Sequence, residues 1–326
     1  MPSGAASATD RRRADMNRRL VLKSAVAAVL AQAAPVVVAQ APSSFLPAAQ
    51  TPSPTRGNTP RGFEALPPIG MGTWLTFDAG DNPAGQEQRR AVLERFFAAG
   101  GGMIDSSPMY GSAEWLLGQL LKEVRHEGKL WSTTKVWTPL EAWGPGQLEQ
   151  SLKLWGLPRF DTVLVHNLLN WRVHIKLLRR WKEEGRVRHI GISTSHAVAN
   201  DEAARIVRGE ALDVLQITYN FNDSSAESVM DLAAARGLAV IINRPFDGGA
   251  LFDRVRRRPV PPWAAEAACA NWAQFFLKWV VSHPAVTCAI PATRQPVHMD
   301  ENMGARLGRM PDAAMRRRMQ AHVARL

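Results

Sequence analysis

From about residue 69 onward the chain alternates between two hydrophobic patterns. Short apolar runs, many of them β-branched, cover Ile69–Trp74, Gly102–Ser107, Lys129–Val136, Asp161–Asn167, His189–Ser195, Val214–Asn220, Ala239–Phe246 and Thr287–Thr293. Strands buried on both faces read this way. Between them stand longer segments such as QEQRRAVLERFFAAG, AEWLLGQLLKEVRHEG and HIKLLRRWKEEG, whose apolar residues fall three and four apart, the spacing of an amphipathic helix. Gly100, Gly128, Gly185 and Gly237 close several of them at positions suited to helix C-caps. Eight strand–helix repeats over roughly 250 residues predict an α/β protein, a closed (β/α)8 TIM barrel. No GxGxxG follows the first strand, which argues against an open doubly wound sheet.

The first 62 residues break this pattern. Residues 17–23, Asn-Arg-Arg-Leu-Val-Leu-Lys, precede the run SAVAAVLAQAAPVVVAQA, giving a basic head, a moderately apolar middle and a small-residue end. That is the layout of an export signal. The Arg18-Arg19 pair resembles the bacterial twin-arginine address. The run is too Ala-rich for a span of about 20 strongly apolar residues, so no stable membrane span is expected once the signal is cleaved. Residues 42–62 hold proline, serine and threonine without periodicity, the composition of a flexible linker. The expected organisation is therefore an export signal over 1–41, a linker over 42–62 and a barrel over 63–326. The export machinery is an expected partner and the periplasm, or another exported site, the expected location. An uncleaved signal acting as a membrane tether is the alternative.

The formal charge of +11 divides between these parts, since six basic and two acidic residues in positions 1–41 supply +4 of it. The remainder includes the isolated runs Arg256–Arg258 and Arg316–Arg318. Nucleic-acid binding would focus charge on one element with aromatic interleaving, so no nucleic-acid partner is expected. Cys269 and Cys288 lack metal-ligand spacing and allow one disulfide at most.

Four residues at the C-terminal ends of the runs carry candidate chemistry: Asp105, Lys135 and His166, with Tyr110 one turn past the second run. Barrel enzymes build their sites at this rim. A free phenol has a pKa of about 10, and a nearby ammonium favours its phenolate, the role expected of Lys135 toward Tyr110. Asp105 would fix Lys135, and His166 would hydrogen-bond a carbonyl oxygen. The set suits protonation of an oxyanion as hydride reaches carbon. Acyl transfer is not suggested, since no GxSxG elbow is present.

These residues stand in motifs that resemble the aldo/keto reductase family. Asp105-Ser-Ser-Pro-Met-Tyr110-Gly with Glu114, Thr134-Lys135 and Leu164-Val165-His166 resemble its signatures, as do EEGRVRHIGIS (183–193), LQITYN (215–220) and IPATRQPVHMDEN (290–302). The resemblance spans most of residues 69–308. It implies an NAD(P)H-dependent oxidoreductase, with NADP(H) as cofactor and an aldehyde or ketone as small-molecule substrate. By the same resemblance Ser193, Thr194 and Gln216 face the nicotinamide carboxamide, Thr293 and Arg294 the 2′-phosphate, and Glu301 and Asn302 the adenine. Gly72 and Thr73 lie near the cofactor, and Gly248 and Gly249 let backbone amides approach the pyrophosphate. Two departures stand out. Thr194 replaces a common asparagine, and Asn243-Arg244 replaces a tyrosine–serine pair whose ring stacks on nicotinamide.

Trp74, Trp137 and Trp171 fall just past the first, third and fourth runs, predicting a pocket for an apolar or aromatic carbonyl compound. The chain ends at Leu326, soon after the eighth helix, so an open pocket is expected. The departures leave a second reading, a cofactor-binding sensor or partner protein on the same barrel with little turnover.

Overall fold

A computed structural model describes residues 59–126 and 128–326. The export signal and residues 42–58 of the linker lie outside the described residues. Eight strands pair in parallel in sequence order: β1 (Met71–Gly72), β2 (Met103–Asp105), β3 (Trp131–Val136), β4 (Phe160–His166), β5 (Val187–Ser193), β6 (Val214–Thr218), β7 (Ala239–Asn243) and β8 (Cys288–Ala289). The helices are α1 (Pro83–Ala98), α2 (Ala113–Leu120), α3 (Gly144–Trp155), α4 (Trp171–Glu183), α5 (Asn200–Gly209), α6 (Glu227–Ala235), α7 (Ala250–Arg254), α8 (Trp272–Val281), α9 (Pro296–Gly304) and α10 (Ala313–Val323). The alternation read from the sequence is thus a (β/α)8 barrel. An extra helix enters between β7 and β8, and α10 follows α9.

Parallel bridges Ile69–Ala289 and Gly72–Ala292 close β8 onto β1. Backbone hydrogen bonds from Gly70 to Ala289 (2.8 Å) and from Ala289 to Pro68 (2.9 Å) complete the seam. Both strands are short because Pro67, Pro68 and Pro291 flank them and lack the N–H a ladder needs. The seam is also tight: a Cβ on Gly70 would stand 2.9 Å from the Met103 carbonyl oxygen, and one on Gly72 2.8 Å from that of Ile290. Any larger residue would pry the seam open.

Most helices bury one stripe against the strands, while α8 is buried almost all round. On α4, Ile175, Leu177, Leu178 and Trp181 are buried while Arg172, Lys176 and Arg180 face solvent. Inside the barrel, Met103, Trp131, Leu164, Val214 and Ile241 pack with Phe63 and Leu66. The Phe63 ring lies 5.1 Å from Trp131 and 4.3 Å from His189, on strand segments remote from the C-terminal rim. That end is plugged, and the rim is left to the loops. Among the described residues, no helix is long and apolar enough to cross a membrane.

Candidate active site

Parallel register brings neighbouring strand ends to one rim. Asp105 pairs with Thr133, Lys135 with Leu164, and His166 with Ser193. Thr133 and Lys135 share one strand face and Thr134 takes the other. Lys135 is fully buried and donates to Asp105 Oδ2 at 2.7 Å and to the Ser106 carbonyl at 2.8 Å. The other Asp105 oxygen accepts from Gln216 Nε2 at 2.8 Å. The Thr73 hydroxyl lies 2.9 Å from both the Asp105 carbonyl and Ser106 Oγ. Tyr110 follows on a turn closed by its N–H to the Ser107 carbonyl at 3.0 Å. Lys135 Nζ stands 5.0 Å from the Tyr110 ring centroid, and the His166 ring lies 6.0 Å from it, nearly perpendicular. His166 Nδ1 is 3.1 Å from Ser193 Oγ.

Burial pushes the Tyr110 pKa above its ordinary value. Lys135 pulls it down, as the sequence suggested, while Asp105 pushes it up. The net direction therefore corrects the expectation of a lowered phenol, because desolvation outweighs the ammonium. Burial also disfavours the Lys135 ammonium, but Asp105 and Tyr110 outweigh it and the pKa rises. Burial and then the Lys135 charge push His166 down to about 2, so its imidazole is neutral.

Asp105, Tyr110 and His166 open on a cleft of about 400 Å³. Gly72, Thr73 and Trp74 line it from the end of β1, and Gly248 and Gly249 from the loop after β7. The φ angles of Gly248 and Gly249, +64° and +108°, suit glycine and little else. Leu75, Asn167 and Arg244 in the same wall hold φ of +58°, +50° and +47° without being glycine, the kind of local strain that gathers at functional sites.

The remaining sequence candidates fall into three groups. Ser193 and Gln216 are buried and turned to His166 and Asp105, so they brace those two side chains. Thr194 is 1% exposed, and its Oγ1 has no hydrogen-bond partner in the protein. Buried hydroxyls usually have a partner. Thr293 is buried, Arg294 exposed, Glu301 half-buried and Asn302 buried, all at the β8 end and α9, beyond the cleft wall. Burial, and after it the like charge of Arg294, lowers the Arg89 pKa, so two guanidiniums share that corner.

Two tryptophans are corrections. Trp137 does not line the cleft, and its backbone N–H and carbonyl both pair with Gln147 on α3. Trp171 starts α4 and donates its indole N–H to Glu202 at 3.1 Å. Only Trp74 of the three lines the cleft. Sequence reading missed Leu75, Met109, Asn167, Ser195, His196 and Phe252, which line it too. Leu75 and Met109 neighbour Trp74 and Tyr110 in sequence, which is a usable signal; Phe252 on α7 offered none. Asn243, in place of a stacking ring, donates to the Thr194 carbonyl at 2.8 Å and accepts from Thr218 Oγ1 at 2.6 Å. It ties together the ends of β5, β6 and β7. Phe246 brings a ring to the cleft, 4.8 Å from that of Phe252.

Residues 68–322 match the aldo/keto reductase family. An aldo-keto reductase of Schizosaccharomyces pombe, named for NADP(+), is 24% identical over 300 residues, covering 78% of this chain and 88% of its own. Pyridoxine 4-dehydrogenase of Escherichia coli is 24% identical over 238 residues, covering 66% and 79%. The crystal structure of an aldo/keto reductase from Klebsiella pneumoniae, in complex with NADP and acetate, superposes with a TM-score of 0.67 at 22% identity, over 79% of this chain and 92% of that one. At that identity the likeness is one of fold.

Proposed function

The chain belongs to the aldo/keto reductase family, and from that premise we propose that it reduces apolar or aromatic aldehydes and ketones with NADPH. The observation that carries the reading is the buried Asp105–Lys135 ion pair set behind Tyr110 at the floor of the cleft. Two relatives are named or crystallised with NADP. The orphaned Thr194 hydroxyl and the exposed guanidinium of Arg294 suit an amide and a phosphate of such a cofactor.

When bound, NADPH supplies the hydride that reaches the carbonyl carbon and is itself oxidised to NADP(+). This chain's residues handle the oxygen. Tyr110 donates its phenolic proton to it, and Lys135, held charged by Asp105, favours the phenolate left behind. Neutral His166, with Nδ1 engaged by Ser193, offers Nε2–H to the same oxygen. Thr194 meets the carboxamide, while Gly248 and Gly249 give close backbone approach. Thr293 and Arg294 take the 2′-phosphate, with Glu301 and Asn302 toward the adenine. Trp74, Leu75 and Met109 give the substrate an apolar wall.

Titration of the chain with NADPH and with NADH, followed by tryptophan fluorescence, tests the assignment. A charged hydrogen bond contributes about 1.5–3 kcal/mol, so Arg294→Ala weakens NADPH binding roughly 10- to 150-fold and leaves NADH unchanged. No saturable quenching by either nucleotide would sink the reading.

A further inference from the structure

A second buried carboxylate sits behind the Asp105–Lys135 pair. Glu114, in the first turn of α2, is 2% exposed. Its oxygens accept from Thr134 Oγ1 at 2.5 Å, Ser151 Oγ at 2.8 Å and Trp155 Nε1 at 3.1 Å. Thr134 immediately precedes Lys135 on β3, Ser151 and Trp155 lie on α3, and α2 begins three residues after Tyr110. One carboxyl group therefore fastens the element carrying Tyr110 to the strand carrying Lys135.

The donor set suits a carboxylate: the Trp155 indole N–H can only donate, and the Thr134 and Ser151 hydroxyls donate beside it. Burial raises the Glu114 pKa above its ordinary value, and the three hydrogen bonds, then the Lys135 charge, offset only part of that rise. A negative charge removed from water persists when it is hydrogen-bonded and has a cation in range. Glu114 has both.

We propose that Glu114 is a positioning residue for the reduction: it locks Lys135 against Tyr110 and supplies the ammonium with a second negative charge. This rests on the reading of Tyr110 as proton donor. The charged and titratable groups around Tyr110 are Asp105 from β2, Lys135 from β3 and His166 from β4, and Glu114 acts from the helix layer behind them. Loss of its charge disfavours the ammonium and favours the phenolate, so Tyr110 then titrates at lower pH.

The chain holds two tyrosines, so ultraviolet difference absorption against a matching Tyr110→Phe protein isolates the Tyr110 phenol. In Glu114→Gln, which keeps size and removes charge, the phenol titration and the alkaline limb of kcat/KM both move down by about 0.5–1 pH unit. Glu114→Asp keeps the charge with a shorter reach: its profile stays with the parent while its thermal midpoint falls. An unshifted Glu114→Gln, or a Glu114→Asp profile displaced like that of the amide, overturns the proposal. If Glu114→Gln does not fold, the Glu114→Asp profile decides alone. The phenol titration needs no turnover, so a shift without carbonyl reduction would keep the coupling and remove the reductase reading instead.

Discussion

Replacing Lys135 by methionine separates what the buried ion pair does for the fold from what it does for the chemistry. Lys135 is fully buried and Asp105 nearly so, at 2.7 Å. Methionine fills the space but leaves the Asp105 carboxylate with Gln216 as its remaining side-chain partner. Breaking a buried pair from one side costs about 3–5 kcal/mol, since the survivor is an uncompensated charge. For a domain of this size that lowers Tm by about 6–20 °C. Asp105→Asn added to Lys135→Met removes the stranded charge, so most of the lost stability returns. Activity follows a different course. Lys135 is the group that pulls the Tyr110 pKa down, while burial and Asp105 push it up. Without the ammonium the phenol is a poorer proton donor, and turnover falls by roughly 10²- to 10⁴-fold, the usual worth of a positioned general acid. The double variant stays inactive. Thermal unfolding by circular dichroism and NADPH oxidation with an aromatic aldehyde read the two effects. A single variant as stable as the parent, or a double variant no more stable than the single, would refute the reasoning.

Two more outcomes follow from the same geometry. His166 has a folded pKa of about 2, well below its ordinary 6.5, so the unfolded chain binds the extra proton between those values. Its contribution to stability is therefore complete above pH 6.5 and falls steadily as the pH drops toward 2; in His166→Gln the loss of Tm over this window is smaller, and an unchanged slope would count against a neutral buried imidazole. At the cleft, Trp74→Ala removes apolar wall and raises KM for an aromatic aldehyde roughly 5- to 30-fold, from about 1–2 kcal/mol of lost burial. Trp137→Ala and Trp171→Ala leave that KM within twofold, and a rise matching that of Trp74→Ala would put those rings back in the pocket.

The hydrophobic pattern carried the fold because the barrel strands are largely buried on both faces and most helices on one. Its weakest boundaries were those of β1 and β8, where Pro68 and Pro291 cut the ladder to two residues each. The gathering of Asp105, Tyr110, Lys135 and His166 was legible because parallel strands deliver their C-terminal ends to one rim, whatever the loops do. Side-chain partners were less so. Gln216 and Ser193 have the right chemistry for a carboxamide, but the sequence did not show that they also bond Asp105 and His166. Asn243 was visible as a departure, but not its work of joining Thr194 to Thr218, which depends on the register of three strands. A residue just past a strand can turn to the cleft or to the helix layer; Trp74 does the first and Trp171 the second, and local sequence does not distinguish them. The direction of the Tyr110 shift depended on burial, which spacing does not report.

The central claim is that Tyr110 gives the proton that completes carbonyl reduction. It is tested most directly by NADPH consumption with an aromatic aldehyde in the parent and in Tyr110→Phe, with nucleotide binding matched by fluorescence titration. The account predicts equal NADPH affinity and a turnover lower by roughly 10²- to 10⁴-fold in the phenylalanine variant. Equal rates in the two proteins would contradict it.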